Sequence, residues 1–345
     1  MTAVDDRPPL VGDGLGIAVL GATGTVGRDL LAVLPKAGLP IGFVRAFARA
    51  GSTPSQVEFG DRHLPVRALR DDALEGGAFE GVDLVFGAVP SDVGRRVGPQ
   101  LAAAGIAYID IGGALADRAP LVVASLSTEA LVNFAELRMV STPSAPAMAL
   151  SCLLHALQPL RPNRVIATIN LSAGAAGAAG VDELSRQVIA LFNNQDPPRA
   201  VFPGGLAFDL TAQVGADDAG WTGPERRIAA EVAALSPVAG ERIAVTLVLT
   251  PVFAGLGVSA WVGVDELPER ADLLALLGQA PGLRIGDPVP GVRRVVGQSG
   301  LYVGRVRPDP SGDGLSIWAT ADNTRFGATA NAVQIARALL ERGLV

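Results

Sequence analysis

The sequence predicts an α/β protein of two domains: a doubly wound parallel sheet, then an α+β domain with a mostly antiparallel sheet. Three observations support this prediction. The 345 residues, 49% of them hydrophobic, suit two cores better than one. From Gly16 onward, short apolar runs alternate with helical periodicity, which is typical of βαβ units. Beyond residue 145 the apolar runs are longer, and no glycine turn carries them into helices.

In the first domain, the alternation of apolar runs predicts both strands and helices. The helices are predicted over residues 28–35 and 90–104, and the glycine-rich residues 21–27 form the turn between the first strand and the first helix. Strands are predicted, in chain order, over residues 17–20, 41–47, 84–87, 107–110, 120–123 and 138–141.

In the second domain, we predict strands over residues 164–171, 243–252, 300–306 and 315–319, and helices over 147–157, 181–192 and 325–342. The helices are expected on one face of the sheet. Residues 14–145 and the C-terminal helix 325–345 are expected to form the dinucleotide-binding domain, and residues 146–324 the substrate and dimerisation domain. Residues 1–13 are acidic and rich in Pro and Gly, and are expected to be a flexible tail.

Composition excludes several classes of function. A net charge of -6 with 18% charged residues argues against nucleic-acid binding, which needs a concentrated basic surface. No apolar run is long enough to span a membrane, and the N-terminus lacks the regions of a signal peptide, so we expect a cytoplasmic protein. The single cysteine, Cys152, excludes a disulfide within the chain. The acidic pairs have no histidine beside them, so no metal site is expected.

A glycine-rich turn follows the first predicted strand and opens the first helix. It reads Gly-Ala-Thr-Gly-Thr-Val-Gly over residues 21–27. Glycines let the backbone turn sharply and approach a pyrophosphate, while the helix N-terminus offers N–H donors. In this strand-turn-helix context the motif predicts a Rossmann-type dinucleotide site. A turn without ligand is the alternative. The candidate cofactor contacts are Gly21, Thr23, Gly24, Thr25 and Val26.

The end of the second strand bears on cofactor choice. A site for NAD usually has Asp or Glu there for the ribose hydroxyls, whereas this chain has Arg49. An arginine favours the 2′-phosphate of NADP, so NADP is the expected cofactor. The alternative is that Arg49 is a solvated surface residue.

Three further stretches resemble the aspartate-semialdehyde dehydrogenase family: residues 322–336, residues 202–227 and the Pro-Val-Phe stretch at 251–253. With the glycine turn, the resemblance spans residues 14–344. It implies a homodimer that pairs through the second domain, a cofactor contact at Asn323, and substrate contacts at Glu225 and Arg227. That family uses a cysteine thiolate to attack an aldehyde, a histidine to handle the proton, NADP to accept hydride and phosphate to accept the acyl group.

The resemblance also indicates that this chemistry is lost. The cysteine position corresponds to Ala145 and the histidine position to Leu256. The family's glutamine would fall at Asn170 or Leu171, and an arginine that binds substrate at Ala116. The chain therefore resembles the Usg-type paralogues that lack the cysteine. We expect an NAD(P)-binding dimer without dehydrogenase activity.

Two alternatives remain open. One is an active NADP-dependent semialdehyde dehydrogenase with a non-standard nucleophile, for which a Cys152–His155 dyad is the candidate. Against it, the leucines around Cys152 predict a buried structural thiol, and His155 is expected to be packed or half-exposed. The other is a regulatory subunit that pairs with a dehydrogenase paralogue and retains a vestigial site.

His63 is expected in a polar surface turn.

Overall fold

The computed structural model describes residues 14–345 except 53, 71–72, 75, 127 and 287. They form two compact units. The first runs to Ala124 and includes Thr128–Thr142 and Ala332–Val345, and the second contains Pro143–Asn331 together with a short stretch around Ser125. The expected tail, residues 1–13, lies outside the described residues, and the domain limits at 145 and 325 stay predictions. No helix among the described residues has the length and apolar character that crossing a membrane requires.

The first unit is built on one sheet. Its helices are α1 (Thr25–Val33), α2 (Ser91–Ala103) and α3 (Phe134–Leu137). Its strands, among the described residues, are β1 (Leu15–Leu20), β2 (Ile41–Ala48), β3 (Gln56–Phe59), β4 (Arg62–Ala68), β5 (Leu84–Gly87), β6 (Ala107–Asp110) and β7 (Met139–Ser141). They lie in the order β3-β4-β2-β1-β5-β6-β7, and every neighbouring pair is parallel except β3–β4. The predicted parallel sheet is confirmed.

The strand order reverses at β1, because β2 lies on one side of it and β5 on the other. In an open α/β sheet, the crevice at such a reversal, beyond the carboxyl ends of the strands, is where ligands bind. The glycine-rich turn follows β1 and therefore lies at this point. All six residues of β1 are buried, as expected for a central strand with both faces covered.

The second unit has a six-stranded mixed sheet and most of the helices. Its helices are α4 (Ala145–Ala156), α5 (Gly177–Phe192), α6 (Gly223–Leu235) and α7 (Arg270–Gln279), and α8 (Ala330–Glu341) leads from it into the first unit. Two short strands, β9 (Asp217–Asp218) and β10 (Trp221–Thr222), pair with each other as an antiparallel hairpin. The sheet strands are β8 (Arg164–Leu171), β11 (Ile243–Leu249), β12 (Leu256–Gly263), β13 (Leu283–Ile285), β14 (Leu301–Pro308) and β15 (Gly314–Ala321).

The strands of this second sheet lie in the order β11-β8-β12-β15-β14-β13. The three central pairs are antiparallel and the two edge pairs are parallel, which confirms the mostly antiparallel sheet. Burial alternates along β8: Val165, Ala167 and Ile169 are buried, whereas Ile166 and Thr168 are exposed. One face of the sheet therefore belongs to the core, and we call the opposite one the outer face.

Several predicted elements were wrong in extent or type. Helix α1 begins at Thr25, inside the glycine motif, because the turn needs only its first residues. Residues 120–123 form no strand: only an isolated bridge joins Leu121 to Ser141. Strand β11 ends at Leu249, where Thr250-Pro251 turns the chain. Strand β12 and helix α7 were not predicted, and His63 lies exposed within β4 instead of in a turn.

The C-terminal helix differs in type from the prediction. Residues Asn323–Thr329 form wide π-helical turns before α8 begins at Ala330. The Asp322 side chain accepts the N–H groups of Thr324 and Arg325 at 2.8 and 2.9 Å. This cap starts the helix two residues earlier than the apolar pattern indicated. π-Helical turns are uncommon and often mark functional sites.

A buried polar pair on α5 holds the loop that follows this helix. The Glu183 carboxylate accepts the N–H groups of Val201 and Phe202 at 2.7 and 2.8 Å. The Gln187 carbonyl oxygen accepts those of Leu206 and Ala207 at 2.8 and 3.0 Å. Burial raises the pKa of Glu183, but the N–H donors and the nearby Arg186 outweigh burial, so the pKa lies below its ordinary value.

Glu183→Ala is expected to lower the free energy of unfolding at pH 7 by roughly 3 kcal/mol, because the buried N–H of Phe202 and the partly buried N–H of Val201 lose their acceptor. The lowered pKa of Glu183 means that this stabilisation is complete above the unfolded pKa of about 4.3 and is lost as the pH falls through the folded value. The difference between wild type and variant in urea unfolding should therefore shrink on acidification. The exposed neighbour Asp182→Ala is the control, with a change under about 0.5 kcal/mol. Equal effects of both variants would contradict the anchoring role.

Candidate functional site

The glycine turn after β1 is shaped by close backbone contacts. Gly21 has φ +78°, and a Cβ there would overlap the carbonyl oxygen of Ala88. A Cβ on Gly27 would overlap the carbonyl oxygen of Gly21. The turn is also tied to β2, since the N–H groups of Gly21 and Ala22 both donate to the Phe47 carbonyl at 2.9 Å. Only glycine permits this geometry at both positions.

The N-terminus of α1 is open to an anion. Gly24 is its N-cap residue and has no side chain to accept the first N–H groups, and no acidic side chain lies in the first turn. Such an end carries oriented donors and partial positive charge, which suits a pyrophosphate. Thr23 and Val26 are half-buried and Thr25 is exposed. The residues of this turn therefore fit a dinucleotide.

Arg49 follows β2 directly and is exposed. Its carbonyl oxygen accepts the N–H of Ser52 at 3.0 Å, which makes a tight turn at the carboxyl end of the strand. The side chain is thus at the end of the sheet where a ribose would lie in a Rossmann-type fold. Its contact with a 2′-phosphate stays a prediction.

The N-terminus of α4 is anchored by a buried carboxylate. Ser144 is the N-cap residue, and its hydroxyl and N–H donate to Glu231 at 2.5 and 2.9 Å. Arg227 forms an ion pair with the other oxygen of Glu231 at 2.8 Å. The hydroxyl of Ser144 also accepts the N–H of Ala147 at 3.4 Å. This network holds the first turn of α4, which begins at Ala145.

Glu225 has a structural task of the same kind. Its carboxylate accepts the N–H of Thr222 at 2.8 Å, as part of a capping box at the start of α6, and that of Leu247 in β11 at 3.0 Å. Burial raises the pKa of Glu225, but these N–H donors outweigh burial and hold the pKa below its ordinary value. Both carboxylate oxygens are thus committed to the backbone. Substrate contact by Glu225 and Arg227 stays a prediction.

Ala145 is half-buried and packs against the π-helical turns. A Cβ on Gly327 would overlap the Cβ of Ala145, so glycine is required there. In the same segment, Asn323 accepts the N–H of Gly255 at 3.0 Å, and Asp322 accepts that of Gly297 at 2.7 Å. The side-chain amide oxygen of Asn323 therefore already accepts a hydrogen bond within the second unit. A cofactor contact by Asn323 stays a prediction.

The remaining candidate positions carry no reactive group. Leu256 opens β12 and is fully buried in the core. Asn170 and Leu171 end β8 and are half-buried, and Ala116 is half-buried in the first unit. No group of three histidine, cysteine, aspartate or glutamate side chains suited to a metal ion occurs in the described part of the chain.

The one thiol of the chain is buried. Cys152 is 1% exposed, and desolvation raises its pKa to about 12 although Ser125 hydrogen-bonds to it. A thiol with such a pKa contributes almost no thiolate near neutral pH, and thiolate is the nucleophilic form. His155 lies one turn further along α4 and is exposed. The two side chains of the hypothetical dyad thus lie in different environments, one in the core and one in solvent.

Both domains of the chain match those of a known enzyme family. The model for the NAD binding domain of semialdehyde dehydrogenases matches residues 16–134, and the model for their dimerisation domain matches residues 152–326. The USG-1 protein homolog of Azotobacter vinelandii is 35% identical over 337 residues, covering 95% of this chain and 98% of the relative. The chain belongs to the aspartate-semialdehyde dehydrogenase family.

Other members agree over the whole length. The aspartate-semialdehyde dehydrogenase of Rickettsia bellii is 32% identical over 341 residues, which cover 94% of this chain and 97% of that one. The crystal structure of aspartate semialdehyde dehydrogenase II from Vibrio cholerae, complexed with ASA, superimposes with a TM-score of 0.89 at 27% identity. It covers 96% of this chain and 99% of that chain. The protein thus has the NAD(P)-binding and dimerisation domains of the family.

Sequence reasoning missed three residues of the second unit: Ser144, Glu231 and Gly327. Ser144 could have been found, because serine before Ala-Pro is a typical helix start. The Thr-x-x-Glu spacing of Thr222 and Glu225 likewise matches a capping box and favours a structural role. Glu231 is paired locally with Arg227, but its contact with Ser144, 87 residues away, had no local signal, and neither had the contact of Gly327 with Ala145, 182 residues away.

Proposed function

We propose that this chain is a dimeric, NADP-binding member of the family that has lost the thiol-based dehydrogenase reaction. The observation that carries the proposal is the position of the sulfur. The sole cysteine is buried within α4, whereas the helix begins with Ala145, and burial raises the pKa of the thiol to about 12. A thiolate at a helix N-terminus would be stabilised by its N–H groups, but Cys152 lies seven residues beyond that end.

The residues proposed to hold NADP are Gly21, Thr23, Gly24, Thr25 and Val26 for the pyrophosphate and Arg49 for the 2′-phosphate. The open N-terminus of α1 and the absence of room for side chains at Gly21 and Gly27 support this assignment. Bound NADP would supply a hydride acceptor. The chain offers neither a cysteine nor a histidine at the positions with which the family forms and breaks its acyl bond.

Dehydrogenase activity is expected to be absent. With aspartate semialdehyde, phosphate and NADP, the purified protein should produce no NADPH above the rate without protein, because it lacks an activated thiol. NADPH absorbance measures this. Turnover that Cys152→Ser abolishes would contradict the proposal and establish the non-standard nucleophile, and an active family member in the same assay is the positive control.

Nucleotide binding is expected to persist. In calorimetric titration the protein should bind NADPH more tightly than NADH, and Arg49→Gln should weaken NADPH about tenfold while leaving NADH unchanged, because one charge-assisted phosphate contact is lost. Arg62→Gln, an exposed arginine of β4, is the matched control. Equal affinities for NADPH and NADH would contradict the role of Arg49. No heat of binding with either cofactor would favour the alternative of a partner subunit with a vestigial cofactor site.

The proposed homodimer pairs through the outer face of the second sheet. Ile166 is 46% exposed there and lies beside Trp261 on β12, while Trp318 is half-buried on β15. Aromatic and aliphatic side chains on a sheet face left open to solvent are typical of an interface. The match of residues 152–326 to the dimerisation domain supports this assignment.

Ile166→Asp is expected to shift the protein from a dimer of about 70 kDa, twice the chain mass of 35.2 kDa, to the monomer. A buried aspartate without a partner would cost far more than the interface can tolerate. Light scattering coupled to gel filtration measures the mass. Val132→Asp, at an exposed position of the first unit, is the control and should stay dimeric. A dimer that survives Ile166→Asp would place the interface elsewhere.

A further inference from the structure

A recess of about 300 Å³ lies in the second unit, between the loop anchored by α5 and the end of β11. Its volume is at the lower end of the range for ligand pockets. One wall is the short helical turn before α5, which contributes Ala176. The apolar residues of the lining include Ala176, Val201, Phe202, Leu206, Val214 and Leu249.

The recess opens on the helix side of the sheet. Side chains of β11 alternate between the two faces of the sheet. Leu249 points to the same face as Val245 and Leu247, both of which are buried in the core. The β11 residues that alternate with these three belong to the outer face, in register with Ile166 on β8. The recess therefore lies on the side of the sheet opposite the face proposed for dimerisation.

The wall of the recess is held rigidly without placing a charge in it. Val201, Phe202 and Leu206 line the recess, and their N–H groups donate to Glu183 and Gln187 on α5. The Gln187 amide nitrogen donates to Glu183 and to the Pro198 carbonyl at 3.2 and 2.8 Å. Glu183 is fully buried behind the wall, and backbone N–H groups satisfy its carboxylate, so its charge does not line the recess. The lining is thus preorganised, which lowers the cost of binding.

The lining itself sets the chemistry of the ligand. Among the described residues that line the recess, no side chain carries a charge, and the polar side chains are Thr211 and Gln213. An ion would lose its hydration here without a counter-charge, which is costly, whereas a neutral group needs one or two hydrogen bonds. We infer that this recess binds a small uncharged molecule with a short apolar body and one carbonyl, amide or hydroxyl group.

This inference goes beyond the proposed function and needs no cofactor, so the two can fail separately. The test is a series of four-carbon probes that differ in charge: butyramide, butyrate and butylammonium. In ligand-observed saturation-transfer NMR, butyramide should bind saturably with a dissociation constant on the order of 1 mM. The two ions should bind at least about tenfold more weakly because of their desolvation. Equal binding of butyrate, or no saturable binding of butyramide, would overturn the inference.

A matched pair of variants locates the binding. Ala176→Leu adds three carbon atoms to the wall of the recess and should weaken butyramide at least about tenfold by steric exclusion. Ala179→Leu makes the same change at an exposed position in the first turn of α5, away from the recess, and should leave binding unchanged. Thermal unfolding verifies that both variants fold. Equal losses in the two variants, or none in either, would overturn the assignment to this recess. Failure of NADPH binding alone would leave the inference intact.

Discussion

The contact between the backbone of Gly21 and that of Gly27 is the constraint on which the nucleotide-binding unit depends. It excludes a side chain at Gly27, and the nearby carbonyl oxygen of Ala88 excludes one at Gly21. The same contact places the open N-terminus of α1 at the point where the strand order reverses. A phosphate group can approach there because glycine leaves the N–H groups uncovered. Glycine raises the entropy of the unfolded chain and so lowers the stability of the folded protein. Folding stability alone therefore does not explain why the chain has glycine at these positions.

In the second unit, buried carboxylates act as anchors for the backbone. Glu183 holds a loop, Glu225 joins the start of α6 to β11, and Glu231 holds the start of α4. A buried carboxylate is stabilised when N–H or hydroxyl groups satisfy its oxygens, and it then fixes segments that are distant in sequence. This explains how a chain of low charge keeps loops in defined positions. It also shows why an acidic residue in a family motif is not by itself a substrate ligand.

The two residue types that thiol chemistry needs are both present on α4, but they lie in different environments. A cysteine is present one to two turns into α4, but the core surrounds it, and a histidine is present on the same helix, but solvent surrounds it. The N–H groups at the start of α4, which would stabilise a thiolate, lie beside Ala145 and not beside the sulfur.

The sequence by itself determined the alternation of strands and helices in the first unit, the glycine turn, and the mostly antiparallel second sheet. These depend on local signals: period-two and helical spacing, glycine in a tight turn, and buried runs such as Leu84–Gly87 and Arg164–Leu171, whose bounds were predicted correctly. It did not reveal β12 or α7, because glycines and short apolar runs there give a weak pattern. The leucines around Cys152 predicted its burial, but only the tertiary structure decided the contact of Glu231 with Ser144 and the need for glycine at 327 beside Ala145. These two contacts join residues 87 and 182 positions apart in the chain, and no local spacing encodes them.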